Sequence, residues 1–379
     1  MYKRQALPLY DEFQEFATQQ AGWLTDYALF MAMRDEHKHL PWTKWPAALR
    51  DRDAKALAAF GSKHSEAVEF HRFTQFVFFR QWQDLKAYAN ARNILMFGDL
   101  PIFVAQDSVD VWANRELFTL DATGQPVYVA GVPPDYFSET GQRWGNPQYD
   151  WPAMQRDGFR WWQERIRTQL ELFDVIRIDH FRGFQAYWEI HAQEKTAMHG
   201  RWVEAPGEAL LQTLHDRFSS LPLVAEDLGV ITEQVTALRE KFALPGMKVL
   251  QFAFDGNPKN AYLPHNHEFN TVVYTGTHDN DTSVSWYARL DAGQRDYLHR
   301  YLDIPAHEHM PWPLLRAALA SPACLAMLPL QDVLGLGEGH RMNTPGTNQG
   351  NWQWRFDWAQ VPVDLAERLN GMIRLYDRI

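Results

Sequence analysis

The chain of 379 residues has a single cysteine, Cys324, which excludes an internal disulfide and any four-cysteine zinc site and fits a reducing compartment. It has no block of basic residues. Lys and Arg number 37 against 47 Asp and Glu, a formal charge of −10, so nucleic acid and anionic membranes are poor partners. No apolar run approaches the roughly 18 residues of a membrane span, and the opening Met1-Tyr2-Lys3-Arg4-Gln5 leads into no signal-peptide core. The cytoplasm is the expected location. What is abundant is aromatic: 16 Trp, 14 Tyr and 23 Phe. Flat apolar faces with a polar handle suit a core, and they also suit stacking on sugar rings.

Apolar residues recur at helical spacing through Phe13, Phe16, Leu24, Tyr27, Ala28 and Phe30, and again from Phe73 to Tyr88, so residues 1–93 are expected to form a helical subdomain. Six short apolar runs then read as buried strands: Ile94 to Phe97, Val175 to Ile178, Leu223 to Ala225, Lys248 to Phe254, Thr271 to Thr275 and Cys324 to Leu328. Helix-length connections between them imply a parallel sheet, and a (β/α)8 TIM-type barrel over residues 94–379 is the expected α/β architecture. Such a barrel needs eight strands, so the first two are expected to precede residue 1, and a chain with the resulting open edges is expected to be poorly stable. Residues 100–150, rich in Gly, Pro and Asn, read as a long substrate loop.

Four of the six runs end in carboxylates: Asp99, Asp179, Glu226 with Asp227, and Asp279 within Thr277-His278-Asp279-Asn280-Asp281. Strand C-termini converge on the active face of a barrel, and clustered carboxylates beside Trp and His suggest glycosidic-bond chemistry. Any one of them alone would pass for a turn former or helix cap. Metal binding is not expected, because His307-Glu308-His309, His265-Asn266-His267 and Asp279-Asn280-Asp281 each lack a complete ligand set. The Gly335, Gly337, Gly339 cluster lacks the residues of a phosphate loop and reads as a rim loop.

Longer motifs narrow the reading. GDLPIFVAQDSVDVWA (Gly98 to Ala113), GVPPDYFSETGQRWGNPQYDW (Gly131 to Trp151), VIRIDHFRG (Val175 to Gly183), VAEDLG (Val224 to Gly229), TGTHDNDT (Thr275 to Thr282) and RMNTPGTNQGNW (Arg341 to Trp352) together resemble glycoside hydrolase family 77, the 4-alpha-glucanotransferases or amylomaltases. The resemblance runs along essentially the whole chain. It implies a cofactor-free enzyme that acts on malto-oligosaccharides and α-1,4-glucans as donor and acceptor. Asp179 would be the nucleophile, with Arg177 two residues earlier on the same face of the strand; Glu226 would be the general acid and base, with Asp227 alternating to the other face. Asp279 would be the third carboxylate, with His278 beside it. Asp99, Trp144 and Asn343 would be further substrate contacts, Trp144 as a lid on a loop. A hydrolase of the same clan and an inactive glucan-binding fragment are the alternatives.

Overall fold

The computed structural model describes residues 9–135, 138–218 and 220–378. Met1–Pro8 and Tyr136–Phe137, which fall within the expected helical region and the Gly131 to Trp151 motif, lie outside the described residues. The chain divides into two compact units, one of Met1–Leu223 with Glu233–Leu238, the other of Val224–Thr232 with Arg239–Ile379.

The first unit begins with helices, as its apolar spacing requires. Helices Tyr10–Gln19 and Ala21–Glu36 pack on the 26-residue helix Ser65–Asn90, where Phe73, Phe76 and Phe79 recur at three-residue intervals and so share a face. Phe13 meets Phe73 edge-on with centroids 5.6 Å apart, and Phe16 lies 5.7 Å from Phe76. The end of this long helix is tied to a parallel pair of strands. Trp82 Nε1 donates to the Leu172 carbonyl, and Asp174 accepts from the Asn90 side chain and from the backbone N–H of Met96. Those bonds fix the entrances of β1 (Phe97–Pro101) and β4 (Val175–Asp179), which pair in parallel with Asp99 opposite Arg177 and Pro101 opposite Asp179. The Ile176 N–H then donates to Pro222, just ahead of β7 (Leu223–Ala225).

A second sheet of this unit is antiparallel, in the order β3-β2-β5-β6, from β2 (Tyr128–Val132), β3 (Gln142–Pro147), β5 (Ala186–His191) and β6 (Gly200–Glu204). It corrects the expectation of an irregular loop over 100–150, which contains β2 and β3. The irregularity that hid these strands has a physical basis: the register shifts between Val129 and Gly131, and a Cβ on Gly131 would stand 2.1 Å from the Gln142 carbonyl oxygen. On β5 and β6, Trp188 opposes Trp202 with centroids 5.3 Å apart.

In the second unit β8 (Gly246–Val249), β9 (Thr271–Tyr274) and β10 (Leu325–Met327) form a parallel sheet in the order β10-β9-β8, and Ala225 N–H donates to Pro245 ahead of β8. Its core gathers Leu250, Leu263, Val273, Leu298, Leu314 and Ala318, all fully buried. All four residues of β9 are buried, as the interior strand of a parallel sheet demands. Two strand boundaries are corrected. The run Lys248 to Phe254 leaves the sheet after Val249 and turns into a 3-10 helix at Leu250–Phe252, and the first strand starts at Phe97, with Ile94 and Leu95 exposed ahead of it. The fold is α/β, and six parallel strands, each overlapping one of the six apolar runs, stand in two three-stranded ladders among the described residues.

Candidate active site

In the first unit the register of β1 and β4 places Asp99 directly across from Arg177. Residues two apart on a strand share a face, so Arg177 and Asp179 point the same way. The guanidinium, 8% exposed, serves both carboxylates: Nη1 donates to Asp99 Oδ1 and Oδ2 at 2.7 Å each, and Nη2 donates to Asp179 Oδ1 at 2.7 Å. A buried planar fork thus holds two acids that are themselves 43% and 44% open to solvent. Gly98 is required here, since a Cβ at that position would lie 2.3 Å from the Phe173 ring.

Immediately after Asp179 the backbone enters the left-handed region at His180, with φ of 55°, before the 3-10 turn Phe181–Phe184. This turn carries the imidazole against Trp144, edge to face at 4.8 Å, with Phe103 at 6.4 Å. Burial, with Arg182 nearby adding to it, pushes His180 down to about 3, so the ring is neutral near pH 7. Trp144 lies on β3 rather than on a free loop, and its Nε1 donates to Gln142 Oε1 at 3.1 Å.

In the second unit β7 ends at Ala225, and Glu226 Oε1 accepts from the Leu228 N–H at 3.0 Å. Asp227 turns elsewhere. It accepts from the Met247 N–H at 2.7 Å and lies 3.3 Å from Arg239 Nε, and burial raises its pKa although these partners work against the rise. β8 starts on glycine at this point, because a Cβ on Gly246 would be 2.5 Å from Asp227 Oδ2.

The segment after β9 carries His278 and Asp279. Asn343 Nδ2 donates to Asp279 Oδ1 at 2.6 Å, Arg341 Nη2 donates to the Asp279 carbonyl at 2.7 Å, and His278 Nε2 stands 3.4 Å from Asp279 Oδ2. The Asn343 N–H closes the group by donating to the His278 carbonyl, and the Trp352 ring lies 5.2 Å from the His278 ring. The structure therefore brings Asp99, Arg177 and Asp179 together in one unit, with Trp144 on β3 against His180, and His278, Asp279 and Asn343 together in the other, which also carries Glu226. His180, Arg341 and Trp352 were not singled out from the sequence. Each lies inside a motif quoted above, yet a left-handed backbone or a bond to a carbonyl leaves no mark in residue type. Among the described residues no three His, Cys, Asp or Glu side chains group as metal ligands, and no helix is long and apolar enough to cross a membrane.

The chain superposes with a TM-score of 0.95 on an amylomaltase from Streptococcus agalactiae solved in complex with acarbose, at 38% identity over 97% of this chain and 74% of that one. An amylomaltase from Corynebacterium glutamicum shares the fold at a TM-score of 0.74 and 17% identity, covering 99% of this chain and 56% of the other. The fold is thus that of the amylomaltases. The sequence then specifies the family: the 4-alpha-glucanotransferase model matches residues 2–360, and the 4-alpha-glucanotransferases of Thermus thermophilus and a Synechocystis strain are 51% and 50% identical, over 100% and 98% of this chain and 77% and 74% of theirs. The chain belongs to glycoside hydrolase family 77, the 4-alpha-glucanotransferases, and is a glycosyltransferase enzyme.

Proposed function

We propose that the chain transfers a segment of an α-1,4-glucan from a malto-oligosaccharide donor to the 4-hydroxyl of glucose or another malto-oligosaccharide, with retention of configuration. Asp179 attacks the anomeric carbon as the glycosidic bond breaks, and Glu226 gives its proton to the departing sugar oxygen. The glucosyl ester on Asp179 is then attacked by the acceptor hydroxyl, whose proton Glu226 takes back. Asp279, with His278 and Asn343, binds sugar hydroxyls and favours the distorted ring of the transition state, and Asp99 and Trp144 contact the substrate. Residues 94–379 are the catalytic part, a TIM-type barrel in kind, and residues 1–93 a helical insertion. No cofactor takes part, and the single cysteine suits the cytoplasm.

The observation that carries this reading is the bond from Arg177 to Asp179, 2.7 Å long, at the C-terminal end of a parallel strand in a chain of this family. A nucleophilic carboxylate must be oriented and unprotonated when it attacks, and a guanidinium fixed by a second carboxylate orients it. The test is incubation with maltotriose beside an Asp179→Asn control. Glucose together with maltopentaose and longer chains is the expected outcome, absent from the control. Release of reducing ends without redistribution of chain length would make the chain a hydrolase, and no turnover by the unaltered chain would refute both. Mass spectrometry of a slow-substrate reaction should find the glucosyl adduct on Asp179.

A further inference from the structure

The segment Thr275–Ser283 runs from the end of β9 to the first turn of the helix Ser283–Arg289 and carries both His278 and Asp279. Both its ends are fastened to one side chain. Thr275 Oγ1 and Ser283 Oγ each donate to Asp332 Oδ2 at 2.6 Å, and the Ser283 backbone N–H donates to Asp332 Oδ1 at 2.7 Å. Asp332 is 1% exposed, and Thr275 and Ser283 are fully buried. It sits on the short helix Leu330–Val333 that follows β10, so a residue from the next strand's connection spans the two roots of the segment.

A buried carboxylate is a costly way to join two hydroxyls, since it must be stripped of water, and apolar residues of similar volume often stabilise as well or better. What apolar packing does not supply is direction. Three short bonds to two oxygens of one rigid group set the distance and the relative orientation of Thr275 and Ser283. Gln251 adds a tie within the segment, its Nε2 donating to the Asp281 carbonyl at 2.8 Å. Asn280 closes the turn internally by accepting from the Thr277 N–H and hydroxyl. Asp279 thus stands on a turn whose two roots are pinned, while its own carboxylate is 42% exposed.

We propose that Asp332 is a positioning residue for glucan transfer, fixing both ends of Thr275–Ser283 so that Asp279 and His278 hold the place the transition state requires. The proposal rests on the reading of Asp279 as a transition-state carboxylate. Displacement of such a group by about 1 Å costs on the order of 10²-fold in rate.

The experiment measures kcat, KM and Tm in maltotriose disproportionation for the unaltered chain, Asp332→Ala, Asp332→Asn, Asp279→Asn and Leu298→Ala. The last removes a fully buried core side chain of the same unit that lies outside the segment, and controls for lost stability. Asp332→Ala should lower kcat about 10²-fold with KM nearly unchanged. Asp332→Asn keeps an acceptor for the Ser283 N–H and offers a donor to hydroxyls free to rotate, so it should restore kcat to within about tenfold of the unaltered chain. Leu298→Ala should lose Tm and keep kcat. Should Asp332→Ala not fold, Thr275→Val and Ser283→Ala, each removing one donor, should each lower kcat by about tenfold. Unchanged kcat in Asp332→Ala or in both donor variants, or an equal kcat loss in Leu298→Ala, overturns the proposal. Full activity in Asp279→Asn would sink the reading of Asp279 itself, whereas an inactive Asp279→Asn beside a fully active Asp332→Ala sinks only the role of Asp332.

Discussion

Arg177 serves Asp99 and Asp179 with different nitrogens, a task only a planar fork can perform. Arg177→Lys keeps the charge and loses the fork, so kcat on maltotriose should fall by about 10²-fold, a loss of the size seen when one transition-state donor is removed. The circular dichroism spectrum should not change. A lysine variant with unaltered kcat would refute the orienting role. Another side-chain effect concerns acid stability. His267 is buried, its Nε2 donating to the Tyr262 carbonyl and its Nδ1 accepting from Ser321, and burial lowers it to about 4. The unfolded chain, with a histidine near pH 6.5, binds a proton that the folded chain refuses. This contribution is therefore complete above about pH 6.5, declines as pH falls, and levels off below about pH 4, at up to about 1.4 kcal/mol per pH unit. His267→Gln retains a donor for Tyr262 and should show a shallower fall of stability from pH 6.5 to 4, measured by urea unfolding. Asp227 and Asp332, whose shifts act in the opposite direction, titrate in both proteins and cancel in the difference. Equal slopes would exclude the histidine as a cause.

At the scale of elements, the parallel strands were legible because their mostly buried residues read as short apolar runs, broken in β4 only by Arg177: Val175 to Ile178, Leu223 to Ala225 and Thr271 to Thr275 agree with β4, β7 and β9 to within a residue. Their carboxylate endings were legible for the same reason, since Asp99, Asp179 and Glu226 interrupt or follow those runs. The antiparallel sheet was not. The register of β2 against β3 shifts between Val129 and Gly131, and β3, Gln142–Pro147, contains no aliphatic residue to mark a face. Partners far apart in sequence, such as Asp332 for Thr275 and Arg341 for Asp279, also leave no local periodicity. The close approach at Gly131 makes a prediction. With the Gln142 oxygen 2.1 Å from where a Cβ would stand, Gly131→Ala must push β3 away from β2, and overpacking of this kind costs about 1–3 kcal/mol. Tm should drop, and because β3 carries Trp144 against His180, maltotriose KM should rise with it. A variant as stable as the parent would mean that the strands separate there without cost.

For the molecule as a whole, charge separates substrate classes. The net charge is −10, from 37 basic and 47 acidic residues, and a polyanionic substrate would have to approach against that field or through a local basic cleft. A malto-oligosaccharide carries no charge, so its encounter with the enzyme should be indifferent to ionic strength. The ion pairs at the candidate site are different in kind: Arg177 is almost wholly buried and touches its partners at 2.7 Å, far inside the roughly 10 Å Debye length at 0.1 M salt, so added ions screen them little. Both terms lead to the same expectation, that kcat/KM for maltotriose changes by less than about twofold between 20 and 500 mM sodium chloride. Chelation should be equally without effect, because the proposed chemistry uses carboxylates and hydroxyls alone, and activity after dialysis against EDTA should equal that before it. A steep loss of kcat/KM with salt would require an ionic contact between enzyme and substrate, which a neutral glucan cannot make, and would overturn the substrate class even if the carboxylates proved essential.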